Sequence, residues 1–156
     1  MMLDLRASLI AGVLASLVSL GVGMAVLQHL HENGIVLARL IATIALGREA
    51  LDPEVVSESQ AFVVGLAIHL VLGLLFALLI SAALHRWGFW VGLFGGALFG
   101  LALYAINTYT MSRFFPEFYF FRSWFMVGFH VLFGALCGGI YEALERDRDR
   151  MFRRRG

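Results

Sequence analysis

The chain contains no lysine and little charge of either sign. Arginine, aspartate and glutamate together make up 15% of its 156 residues, against ~25% in a soluble globular domain. At 17.3 kDa a water-soluble protein has too much surface to cover with so few charges. A single cysteine, Cys137, excludes an internal disulfide framework and CxxC redox chemistry. A net charge of +1 excludes a basic nucleic-acid binder. What the chain does have is 60% hydrophobic residues and 17 glycines, too apolar for a disordered protein. The composition is that of an integral membrane protein.

The few charges are segregated. Between Arg6 and Glu32, Glu58 and Arg86, Arg86 and Arg113, and Arg122 and Glu142 lie charge-free runs of 25, 27, 26 and 19 residues. A bilayer core of ~30 Å takes about 20 apolar residues of helix, so each run spans once. Spans are expected near 5–27, 62–84, 88–110 and 123–145. The apolar core of the first run, about 21 residues, exceeds that of a signal peptide, which makes it an uncleaved span. Eight arginines (Arg6, Arg86 and six from Arg146 onward) share the side of the termini, and four (Arg39, Arg48, Arg113, Arg122) face the other. This asymmetry puts both termini in the cytoplasm, here of a bacterial inner membrane.

The two outside loops differ in character. Ile35–Gly47 is apolar but, at about 13 residues, too short to span, and is expected as an interfacial or re-entrant helix around Arg39. In residues 114–125, eight of twelve are Phe, Tyr or Trp, which reads as an aromatic interface belt or as one wall of a pocket for a lipid tail or quinone.

An internal repeat is expected. Residues 67–73 align without a gap on 128–134, superposing His69 on His130 and Gly73 on Gly134 at an offset of 61. The first span aligns on the third at an offset of 84, with Gly12 over Gly96 and Ser16 over Gly100. The fold class is therefore an all-α membrane four-helix bundle of two similar hairpins, forming one transmembrane domain over residues 1–156. Small residues recur at every fourth position, as in Gly88, Gly92, Gly96 and Gly100, and such stripes allow close helix contact in lipid.

Two histidines, a tyrosine and an asparagine within the spans share one layer in the outer third of the bundle. His69 and His130 fall at matching positions in the second and fourth spans, with Tyr104 and Asn107 at a comparable depth in the third. Polar groups there are costly and should face the interior with partners. Three readings stand. The first is a structural hydrogen-bond network. The second is a ligand pair, His69 and His130 gripping the iron of a b-type haem, with Gly73 and Gly134 leaving room for the macrocycle. The third is a quinone site or proton path. A coupled transporter is disfavoured because none of the 11 acidic residues falls in the first three runs, and Glu142 is expected to pair with Arg146 one turn on. His29, His31 and Glu32 form a short cluster at the interface. Arg153, Arg154 and Arg155 suit anionic headgroups.

Arg39–Gly47, Gly95–Asn107, Phe115-Pro116 and His130–Gly134 resemble a group of small four-helix bacterial inner-membrane proteins, YagU-like in layout. The resemblance covers about 35–145 and implies fold and location, not chemistry. Some members carry a sodium-symporter label, but such symporters use more spans and broken helices around a midplane ion site. The expected function is that of a small inner-membrane subunit or accessory protein of a larger membrane assembly, respiratory among the options, and not an enzyme on its own. Its surroundings would be the lipid bilayer and other membrane subunits or further copies of itself, with no nucleic acid. The alternative is a small transporter or channel with a structural polar network.

Overall fold

A computed structural model describes residues 3–30 and 33–153, with side chains described through Glu145. The described residues are all-helical, without a strand. In chain order the elements are α1 (Leu5–His29), α2 (Ile35–Leu46), a 3-10 turn (Gly47–Leu51), α3 (Glu58–Leu84), α4 (Phe89–Ala105), a π-helical turn (Ile106–Thr110), α5 (Met111–Phe114), a second 3-10 segment (Pro116–Phe121) and α6 (Trp124–Arg153). Four stretches are long and apolar enough to cross a membrane: Leu5–His29, Glu58–Leu84, Phe89–Phe114 and Trp124–Glu145. The expected span count is met, and α3 starts a turn earlier than expected.

Local chemistry sets the helix ends. The Asp4 carboxylate accepts from the Ala7 N–H at 3.2 Å, and the Ser57 hydroxyl accepts from the Gln60 N–H at 3.3 Å, each satisfying an orphan donor of the first turn. The α3–α4 turn carries Arg86 and Gly88 with φ of 67° and 90°. Pro116 opens the second 3-10 segment, where its missing N–H costs nothing.

Glycine and alanine bring the long helices together. A Cβ on Gly92 would lie 2.6 Å from the Gly138 carbonyl oxygen, and one on Gly96 or Gly100 would strike the Gly134 or His130 carbonyl. α4 and α6 thus pack backbone to backbone, which only small residues allow. On α1 the buried face is Ala7, Ala11, Ala15 and, alongside, Ser8, Gly12 and Ser16. A Cβ on Gly12 would come 2.7 Å from the Ala77 Cβ of α3, and one on Gly73 would strike the Ser16 hydroxyl.

α2 lies against α3, with the Ala38 carbonyl filling the space over Gly65. Arg39, expected within an interfacial helix, is only 5% exposed. One of its terminal nitrogens donates to the Ala50 and Val56 carbonyls at 2.8 and 2.9 Å, holding the turn after α2 and the loop before α3 to the helix. Two apolar clusters result. One, near the chain termini, gathers Ala11, Ala77, Ile80, Phe133 and Tyr141. The other, under the α2 and 111–122 loops, gathers Leu20, Leu37, Ile41, Phe118, Phe121 and Met126.

Candidate functional site

A cavity of about 240 Å³ lies where the two clusters meet. Its walls are aliphatic and aromatic: Leu37 and Ile41 from α2, Phe118 and Phe121 from the 3-10 segment, Phe129 and Phe133 from α6. Into it come Ser19, His69, Asn107, Thr108 and His130. Both expected histidines therefore share one space. Asn107 joins them, as does Gly73.

Tyr104 and Gly134 do not line the cavity. The Tyr104 ring stands edge-on to His130, centroids 5.6 Å apart at 73°. Gly134 is packed against Gly96 and Gly100 of α4, so the space beside it, expected to admit a macrocycle, is filled by backbone.

The hydrogen bonds assign the ring protons. His69 Nε2 lies 3.1 Å from the Ser16 carbonyl oxygen, and His130 Nδ1 lies 2.8 Å from the Met126 carbonyl oxygen one turn back on its own helix. A carbonyl oxygen can only accept, so these two nitrogens are the donors. The Ser16 carbonyl also accepts from the Ser19 hydroxyl at 3.2 Å. In neutral rings the lone pairs are then on His69 Nδ1 and His130 Nε2. This geometry does not suit a bis-histidyl haem. His69 Nε2, the nitrogen farthest from its helix and best placed to reach iron, is held by Ser16, and the space beside Gly134 is closed.

The π-helical turn, one residue wider per turn than an α-helix, carries Asn107 and Thr108. Thr108 is 1% exposed, and its hydroxyl has no protein partner. Thr108 continues the four-residue spacing of Gly88, Gly92, Gly96 and Gly100, and sequence reasoning assigned it no role. That reasoning also missed the α2 wall, although the aromatic run around Phe118 and Phe121 did signal a pocket.

Other expectations resolve differently. Glu142 accepts from the Trp87 and Gly88 N–H groups at 3.2 and 2.9 Å, capping the start of α4; the side chain of Arg146, its expected partner, lies outside the described residues. Close by, His85 Nδ1 sits 2.7 Å from the Tyr141 hydroxyl and 2.8 Å from Glu145 Oε1. His29 is exposed, while its expected companions His31 and Glu32 lie outside the described residues, as do Arg154 and Arg155 and the side chain of Arg153. Among the described residues no group of three or more His, Cys, Asp or Glu could hold a metal ion. Compared with known proteins, the chain matches no family pattern, no curated protein and no solved structure.

Proposed function

We propose that this is a small multi-pass protein of a bacterial inner membrane, with both termini cytoplasmic, that serves a larger membrane assembly as a subunit or accessory by holding one lipid-soluble ligand. The ligand class is a quinone-like ring or a lipid tail. The observation that carries this reading is the 240 Å³ cavity with apolar walls and converging polar groups. Left empty, its apolar walls would lack the packing contacts that an occupant makes. The volume falls somewhat below the usual range of small-molecule sites, ~300–1,000 Å³, and suits a single ring or a slender chain. No carboxylate lines the cavity, which favours binding over ion-coupled transport.

The placement of this site follows from a bundle of two hairpins of like orientation, with α2 inserted in the first. Corresponding contacts support that reading. Gly12 meets Ala77 as Gly96 meets Gly138, and Ser16 meets Gly73 as Gly100 meets Gly134. Each pair is related to its counterpart by the offsets of 84 and 61. His69 touches Ser16 where the His130 backbone touches Gly100. The cavity then lies between equivalent histidines of the two halves, with α2 as a helix that dips toward it from outside. The YagU-like layout agrees with this arrangement.

Native mass spectrometry of the full-length protein, released from a mild detergent, tests the reading. One apolar adduct per chain is expected, and it should disappear in Leu72→Trp, which fills the cavity. An adduct that persists unchanged in Leu72→Trp, or a bare chain in both, would count against it.

A further inference from the structure

The polar lining specifies the chemistry of the occupant more narrowly than its apolar walls do. We propose that the cavity recognises a hydroxyl head, a quinol or another phenol, in preference to an oxidised quinone or an ether. This rests on the reading that the cavity is a ligand site.

Each histidine spends its one N–H on a backbone carbonyl, Ser16 for His69 and Met126 for His130. The second nitrogen of each ring has no protein partner among the described residues, so the two imidazoles offer the cavity lone pairs and no protons. No arginine, aspartate or glutamate lines the space. A quinone carbonyl is itself an acceptor. It can accept from the Thr108 hydroxyl or the Asn107 amide, but it leaves both imidazole lone pairs desolvated and unpaired, which costs more than a missing contact. A hydroxyl reverses the balance. It donates to an imidazole nitrogen, and its oxygen accepts from a second donor.

That second donor is present. The Thr108 hydroxyl is buried without a protein partner, and it lines the same cavity beside Asn107. The π-helical turn Ile106–Thr110 departs from the regular ladder at the point where these two side chains enter, and such turns are frequent at functional sites. Aromatic side chains on the opposite walls, Phe118, Phe121 and Phe129 among them, match a ring better than a saturated chain. Acceptors, one unpaired hydroxyl and aromatic walls together describe a phenolic ring.

The test compares matched probes on the full-length protein in detergent. Para-heptylphenol is set against its methyl ether, and a short-chain benzoquinol against its own quinone, kept anaerobic. The phenol should bind on the order of tenfold tighter than the ether, and the quinol tighter than the quinone by a similar factor. His130→Phe should bring phenol affinity down to that of the ether and leave ether binding in place. Thr108→Val should weaken the phenol several-fold. The wild-type comparison stands even if a variant fails to fold. Equal or tighter binding of the ether and the quinone would overturn this proposal while leaving the cavity a ligand site. Failure of every probe to bind would overturn this proposal and the quinone-like ring as the ligand class, and the adduct measurement on Leu72→Trp then decides whether the cavity is a ligand site at all.

Discussion

Arg39 shows how one residue governs a whole loop. A buried guanidinium is costly unless hydrogen-bonded; one terminal nitrogen of Arg39 donates to the Ala50 and Val56 carbonyls, while the other is buried without a protein partner. Arg39→Ala should cost about 1.5–3 kcal/mol, the range for hydrogen bonds to a charged group. Limited proteolysis should then cut between Asp52 and Val56, where the wild-type chain resists. Glu142 does similar work at the other end of the bundle, so Glu142→Gln, which keeps the shape but removes the charge, should lower unfolding stability in mixed micelles by about 1 kcal/mol. Residue roles of this kind were only partly readable beforehand. His69 and His130 stood out because imidazoles are rare in apolar helices. Their proton assignments did not, because the partner of His69 is a carbonyl on a different helix. His130 was closer to legible, since its acceptor is one turn back in its own sequence. For Glu142 two of the partners are backbone N–H groups across the bundle, which no local spacing signals.

At the scale of elements, the small-residue stripes hold α4 to α6, and individual glycines differ sharply within them. A Cβ on Gly96 would run into the Gly134 carbonyl, whereas one on Gly21 or Gly128 would meet nothing within 4 Å. Gly96→Ala should therefore destabilise the protein by about 2 kcal/mol through overpacking, and Gly96→Leu by more. Gly21→Ala and Gly128→Ala should be neutral or stabilising by up to about 1 kcal/mol, because alanine is the better helix former. Unfolding of the three alanine variants side by side checks this, and equal behaviour would mean that the stripe faces lipid. The four spans were legible because bilayer thickness acts on local sequence, through length and the exclusion of charge. The α2 helix was foreseen as a helix, but its burial of Leu37 through Thr43 was not, since that depends on α3 offering Gly65. The π-helical turn had no signal in the spacing, because nothing in Ile106–Thr110 forbids a regular helix.

For the whole molecule, the proposed orientation rests on the arginine asymmetry. With Cys137 replaced by Ala, a single cysteine at position 52 should react with a membrane-impermeant maleimide added outside intact cells. One at position 156 should react only after the cells are opened. Labelling of both from one side would break the four-span topology. The same bundle sets the site, since the cavity exists where two apolar clusters fail to close over the paired histidines and the α2 and 3-10 segments roof the gap. That gap is a property of the packed helices and could not be read from any one of them.

Photolabelling tests the proposed ligand site most directly. An alkylphenol bearing a diazirine, irradiated with the full-length protein in lipid nanodiscs, should attach to peptides spanning 103–111 and 126–133, and excess para-heptylphenol should suppress the labelling. Labelling confined to lipid-facing positions such as Val71, Phe94 and Leu98, unaffected by the competitor, would contradict the account.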